Sequence, residues 1–452
     1  MRTSLKVALG GVGLLALASY ASGIGPSYIR DAPAMLTGMG AMVTCTQHYV
    51  SGLSTAQAES DLQSYAAAFE SVDLTYNDTA RRVEASFFGV KTTSAQYREG
   101  LGCALEIGDT SALTAAVMPV STVVKDVFWP QGGSVPEASP SMQALLNKIL
   151  KSDNSAGLQT RALLVVKNGV VMAEAYSEGL DPSSKLLGWS MSKSFNALLV
   201  GNLEMRGLLD PAQKPLFTEW AEDARADISL DDMLHMASGL DLPEIYQPGT
   251  AVTSMLFTSH DSTEVGLGVE LVAAPGTRYQ YSSGTANLLS QIIQDKVGGS
   301  FQHSLDNLHT EFVQPMGMQN FAYATDPSGL FMGSSFVTAS ARDWARIGQL
   351  MLNGGKLNGH RFVTEDWVAR AVAPNNTENR KSYGYQFWLN RGGPEKRWAD
   401  LPVDAYAARG SRDQSVMIIP SEDMVIVRLG WSKDGQYPAS ENFAQIVAAS
   451  KS

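Results

Sequence analysis

Leu187-Gly188-Trp189-Ser190-Met191-Ser192-Lys193-Ser194 decides how this chain is read. It contains the chain's single Ser-x-x-Lys and runs into Ala197, Leu198, Leu199, Val200 and Leu203, a pattern that predicts a helix over 190–203. Side chains three apart on a helix share a face, with Cβ atoms ~5–6 Å apart, so Lys193 can set its amine against the Ser190 hydroxyl. A serine near neutral pH is a poor nucleophile without a neighbouring base. A lysine serves as that base when burial and nearby positive charge lower its pKa. A hydroxyl at a helix N-terminus also sits where developing negative charge is favoured.

Two further stretches carry chemistry. Tyr281-Ser282-Ser283 follows Pro275-Gly276-Thr277 and precedes an apolar helical run over 286–293. A tyrosine beside a lysine can relay a proton to a leaving group. Ser283 can bond the lysine or the substrate, and Ser282 or Ser283 can cap the helix. Later comes Ala408-Arg409-Gly410-Ser411-Arg412-Asp413-Gln414, just before a strand-like run at 415–419. Gly410 permits close backbone approach, and such a strand edge can supply an N–H to an oxyanion.

In this order the three elements resemble the serine β-lactamase and penicillin-binding protein superfamily, and within it the class C-like branch of 6-aminohexanoate-dimer hydrolases and esterases. The likeness covers about 130–450 and includes Ile228-Ser-Leu-Asp-Asp-Met-Leu-His-Met-Ala-Ser-Gly-Leu240 and Thr338-Ala-Ser-Ala-Arg-Asp-Trp-Ala-Arg346. It implies an α/β (α+β) fold: an antiparallel sheet flanked by helices, with a helical insertion at about 205–325. It implies an acyl-enzyme on Ser190, Lys193 as base, Tyr281 as second proton-transfer residue, and an oxyanion hole from the backbone N–H groups of Ser190 and Gln414. Ser283, Tyr246, Gly333, Ser334, Ser335, Arg409 and Ser411 are the implied substrate contacts. The superfamily's third motif is Lys-Thr-Gly, or His-x-Gly in the 6-aminohexanoate-dimer hydrolase branch, where this chain reads Ser411-Arg412-Asp413. Arg412 or Arg409 then supplies the missing positive charge, or the site serves another substrate or has lost activity. β-Lactams, whose carboxylate that motif helps to hold, are the least expected substrates. The expected function is hydrolysis of a small amide or ester without a cofactor. The alternative is a non-catalytic peptide or cell-wall binding protein on the same fold.

The flanking sequence sets the context. Arg2 and Lys6 precede an apolar run over 5–18 and small residues at Ser19, Ala21, Ser22 and Gly23, so 1–23 reads as an export signal. The alternative is an uncleaved anchor that tethers the chain outside a membrane. Export makes a Cys45–Cys103 disulfide the expectation over two buried thiols. Residues 24–44, rich in Gly, Ala and Met, read as a flexible lead-in within a small N-terminal domain at 24–128. That domain is expected to hold a helix at 56–69 and strands at 82–88 and 103–107. The Pro/Gly/Ser stretch 129–140 reads as a linker or surface loop opening the main domain, 129–452. There a helix is expected at 141–151, a hairpin at 161–175 turning on Asn168-Gly169, strands at 383–389, 415–419 and 424–429, and a last helix at 440–449. A net charge of −11 argues against a nucleic-acid partner. The six histidines show no metal-ligand spacing. Gly188-Trp-Ser-Met-Ser192 falls one residue short of the Gly-x-Ser-x-Gly elbow and lacks the strand that elbow needs.

Overall fold

The computed structural model describes residues 26–119 and 127–451, and the expected export signal at 1–23 lies outside them. The stretch expected as a loose lead-in is a helix instead, α1 (Pro26–Cys45). Leu36, Met39, Met42 and Val43 recur at helical spacing and are buried. A Cβ at Gly38 would lie 1.9 Å from the carbonyl oxygen of Phe257, so a side-chain-free position lets α1 dock backbone to backbone. Glycine-rich composition signals mobility only where nothing packs against the segment.

Helix α2 (Thr55–Gln63) starts at Ser54, whose Oγ accepts from the Gln57 N–H. It ends short of the expected residue 69 because Tyr65 turns inward onto Trp189 and Trp431, at ring-centroid distances of 6.1 and 5.9 Å. Strands β1 (Val72–Asn77), β2 (Arg82–Phe87), β3 (Lys91–Arg98) and β4 (Gly102–Leu105) form an antiparallel meander. β1 and β3 were not expected from the sequence: Thr92, Thr93 and Ser94 leave β3 without an apolar run. A Cys45–Cys103 disulfide joins the end of α1 to β4.

The body begins with residues 127–139, a surface loop held down by Trp129, whose Nε1 donates to the Arg342 carbonyl at 3.1 Å. Helix α3 (Pro140–Ser155) leads into β5 (Thr160–Lys167) and β6 (Val170–Tyr176), joined by the two-residue Asn168-Gly169 turn. Helices α4 (Met191–Met205), α5 (Ser283–Lys296) and α6 (Ala341–Leu352) follow. Between α4 and α5 lie short helices such as Leu230–Leu234 and Ala251–Phe257. Strands β7 (Trp388–Leu389), β8 (Tyr406–Gly410), β9 (Gln414–Ile419), β10 (Met424–Gly430) and helix α7 (Ala439–Ala449) close the chain. Of the strand expected at 383–389 only β7 joins the central sheet, because the chain turns at Gly384, whose N–H donates to the Phe387 carbonyl at 2.9 Å, and Tyr383 folds back to pair with Trp388.

The central sheet runs β7-β8-β9-β10-β5-β6, antiparallel throughout. Alternate residues of β5 face opposite sides, as a period of two requires. Leu163 and Val165 join Met142, Leu146, Phe443 and Ile446 of α3 and α7. Leu164 and Val166 join Phe195 and Leu198 of α4 and Trp344 and Ile347 of α6. Both faces are therefore covered, which is why these strands are apolar almost throughout. Among the described residues, no helix is long and apolar enough to cross a membrane.

The N-terminal unit shares its core with the body: Met39, Val43 and Phe69 cluster with Trp189, Phe257, Phe336 and Trp431. A buried ion pair pins the contact, with Arg161 Nη2 2.7 and 2.6 Å from the two Asp61 carboxylate oxygens. Trp431 Nε1 donates to the Asp61 carbonyl at 3.1 Å. Asp61→Ala leaves the Arg161 guanidinium buried without its partner. It is expected to lower unfolding free energy by about 3–5 kcal/mol in chemical denaturation. In the Asp61→Ala/Arg161→Ala double variant the loss should fall well short of the sum of the two single losses.

Candidate active site

The turn before α4 presents Ser190, the expected nucleophile. Trp189 sits in the left-handed region at φ 47°, an uncommon conformation for a bulky residue. Ser192 holds this turn: its Oγ donates to the Trp189 carbonyl at 2.7 Å and accepts from the Val337 N–H at 2.9 Å. The Trp189 ring is anchored among Tyr65, Phe336 and Trp431. Ser190 follows, half-buried at the start of α4.

One turn on, Lys193 is buried to 1 % exposure. Its Nζ lies 3.1 Å from Ser190 Oγ, 3.0 Å from Ser283 Oγ and 2.9 Å from the Ser334 carbonyl oxygen. Three acceptors match the three N–H bonds of an ammonium. Burial pushes the Lys193 pKa down to about 8, against the nearby Glu244 carboxylate, which raises it. The Tyr281 ring centroid lies 4.8 Å from the same Nζ. Tyr281 stacks on Trp388 at 5.4 Å. Burial first, and Glu244 second, hold its phenol well above the usual tyrosine range, while the contact with Ser190 works the other way. At neutral pH Tyr281 therefore keeps its proton and Lys193 is the group near its titration point.

Ser282 takes the cap of α5, accepting from the Thr285 N–H at 3.1 Å, and this frees Ser283 for the site. The Ser283 N–H and Oγ donate to the Glu244 carboxylate at 2.7 and 2.6 Å. Tyr246 donates to the same carboxylate at 2.7 Å. Glu244 was missed in the sequence because it stands in a loop, two residues before the tyrosine that was singled out. Tyr246 and Ser335 line the cavity over Ser190. Ser334 and Gly333 lie behind the lysine instead, Ser334 through its carbonyl and Gly333 against Ser290 and Asn196.

The third element is displaced from its expected position. A Cβ at Gly410 would lie 2.0 Å from the Gly188 carbonyl oxygen and 3.2 Å from the Ser190 nitrogen. The strand segment facing Ser190 is thus Ala408-Arg409-Gly410. Ser411-Arg412-Asp413 forms a turn beyond the strand end, with Arg412 and Asp413 both at positive φ. Gln414 does not line the cavity. Its amide bonds the Gly430 N–H and carbonyl on β10, so Ser411, which does line it, follows the glycine instead. Arg412 is buried against the Tyr65 ring, 3.6 Å from its centroid, and only Arg409 of the two candidate cations lines the cavity. Asp413 accepts from the Gly435 and Tyr437 N–H groups, both at 3.0 Å. Asp434 accepts from Ser411 Oγ at 2.9 Å and from the Arg412 N–H.

The cavity encloses about 520 Å³, within the range of small-molecule sites. Its charged lining is Glu244, Asp413, Asp434 and Arg409. One side is formed by residues not foreseen in the sequence, including Met35, Met39 and Phe69 of the N-terminal unit. They gave no signal because their role depends on docking to Trp189 and Phe257.

Comparison with known proteins identifies the fold and the family. Over 287 residues the chain is 27% identical to a 6-aminohexanoate-dimer hydrolase from Paenarthrobacter ureafaciens, covering 60% of this chain and 72% of that protein. Among solved structures, a putative 6-aminohexanoate-dimer hydrolase from Bacillus anthracis superposes with a TM-score of 0.52 at 19% identity, covering 75% of this chain and 88% of that one. A penicillin-binding protein homolog from Caulobacter crescentus superposes with a TM-score of 0.55 at 14% identity, covering 71% and 99%. The Beta-lactamase family model matches residues 143–449, more than half of the chain. The chain belongs to the Beta-lactamase family.

Proposed function

We propose that this protein hydrolyses a small, uncharged ester or amide through an acyl-enzyme on Ser190. The observation that carries the proposal is Lys193: a buried amine with its pKa near 8, 3.1 Å from the Ser190 hydroxyl at the cavity. In its neutral form the amine takes the Ser190 proton as Oγ bonds to the substrate carbonyl carbon. The backbone N–H groups of Ser190 and Ser411 are assigned to the resulting oxyanion, on either side of the Gly410 contact. When the bond to the leaving group breaks, Tyr281 donates its phenolic proton to the departing oxygen or nitrogen. It regains a proton from Lys193. Water then attacks the acyl-enzyme, its proton passes to Ser190, and the carboxylic acid leaves.

The preference for an uncharged substrate rests on the three carboxylates against one guanidinium in the lining. A substrate carboxylate meets net repulsion in such a cleft. The 6-aminohexanoate-dimer hydrolase relative supports an amide among the candidates. Export is proposed as well, supported by the Cys45–Cys103 bridge, a bond that persists in oxidising compartments.

Ser190→Ala abolishes p-nitrophenyl acetate hydrolysis, and Lys193→Ala lowers kcat/KM by about 100-fold or more, measured on purified proteins in parallel. If Ser190→Ala matched wild type, the proposal would fail. Because the amine acts deprotonated, kcat/KM for this neutral ester rises with pH through the Lys193 titration and levels off above about 8. Glu244 raises the Lys193 pKa, so Glu244→Gln should move that rise to lower pH; a shift to higher pH would contradict the electrostatic assignment. Ampicillin, which carries a carboxylate, should be turned over at least about 100-fold less efficiently than the ester.

A further inference from the structure

The cavity has two aromatic sides that belong to different parts of the core. Tyr281 and Trp388 stand on one, packed with Tyr279 and Tyr383. On the other, Met39, Phe69, Trp189 and Phe257 belong to a single cluster with the N-terminal unit, and Met35 packs against it. Met35, Met39 and Phe69 lie outside the matched family region, which starts at 143. Lys193 and Tyr281 mark the first side as the one that handles protons. A leaving group must depart toward its proton donor, so the rest of the acyl group extends away from Tyr281.

We infer that the N-terminal unit forms the acyl-binding wall of this enzyme and selects substrates with an apolar, straight-chain acyl group of medium length. The inference rests on the acyl-enzyme reading above and names the substrate class it serves. The wall offers two methionines, an adaptable side chain suited to flexible apolar chains. It carries no charged group: the charged lining residues Arg409, Asp413 and Asp434 come from the β8 end, the turn after it and the loop after β10, and Glu244 from the loop that bonds Ser283. The wall is held in place. The Phe257 carbonyl abuts Gly38 of α1, and the Arg161–Asp61 pair fixes the segment after α2 that carries Tyr65, Ala66 and Phe69. The disulfide fixes the far end of α1. Such a preset apolar surface favours a chain over a methyl group without the wall having to order itself first.

Two experiments test this on the full chain. The first needs no turnover. Octanamide and acetamide are titrated into Ser190→Ala, followed by the fluorescence of Trp189 and Trp388, which line the cavity. Octanamide should bind at least about tenfold tighter, six methylene groups being a large apolar contribution even after ordering costs. Equal affinity overturns the inference, whether or not the protein proves to be a hydrolase. The second compares p-nitrophenyl octanoate with p-nitrophenyl acetate. Wild type should favour the octanoate in kcat/KM. Met35→Trp, which fills the space beside a half-exposed position, should lower the octanoate-to-acetate ratio by about tenfold. Met35→Ala, the milder change, should lower it about threefold. A ratio unchanged in both folded variants overturns the wall assignment. Loss of both ester activities in wild type, with octanamide still bound tightly, would sink the acyl-enzyme reading while leaving the wall as a binding surface.

Discussion

Strand β8 meets the turn before α4 with no side chain between them, since Gly410 leaves no room for even a Cβ against the Gly188 carbonyl. That contact fixes the distance between the central sheet and α4. It thereby holds the Ser190 backbone against the β8 end, with Ser190 and Ser411 lining the same cavity. The turn beyond β8 is held from behind by Arg428, whose guanidinium donates to the Arg412 and Asp413 carbonyls at 2.9 and 3.2 Å. The left-handed conformations at Arg412 and Asp413 cost on the order of 1–3 kcal/mol each and persist only where surroundings over-determine them. The bonds to Arg428, Gly435 and Tyr437 provide that surrounding.

The electrostatics of the site follow from burial more than from charge pairing. Among the described residues, Lys193 has no carboxylate in direct contact. Glu244 reaches it only through Ser283, which donates to Glu244 and accepts from Lys193. A directly paired lysine would stay charged and could not accept the serine proton. A wholly unpaired one would have a lower pKa and leave little driving force for the transfer. Interposing one hydroxyl places the amine between these limits, near the pH where a general base is most useful.

The proximity of Ser190 and Lys193 was legible because helix geometry ties them together locally, and Tyr281 because it stands just ahead of an apolar helix. The sheet was legible from apolar strands buried on both faces and from one Asn-Gly turn. What escaped depended on distant contacts. Helix α1 looked flexible because Gly38 contributes nothing to helix propensity and everything to docking. Glu244 and the wall at Met35 and Phe69 acquire meaning only once loops converge. The third element stands three residues earlier than the sequence suggests, because Gly410, not Ser411-Arg412-Asp413, makes the backbone contact with Gly188.

Trp189 belongs to both halves of the molecule. Its backbone stands one residue before the nucleophile, and its ring is buried partly by Tyr65 from the N-terminal unit. The region recognisable by family likeness begins well after that unit ends. A boundary drawn from sequence similarity would therefore cut through the active site. A piece of this chain trimmed to the family likeness would leave the Trp189 ring without Tyr65 and the cavity without Met35, Met39 and Phe69.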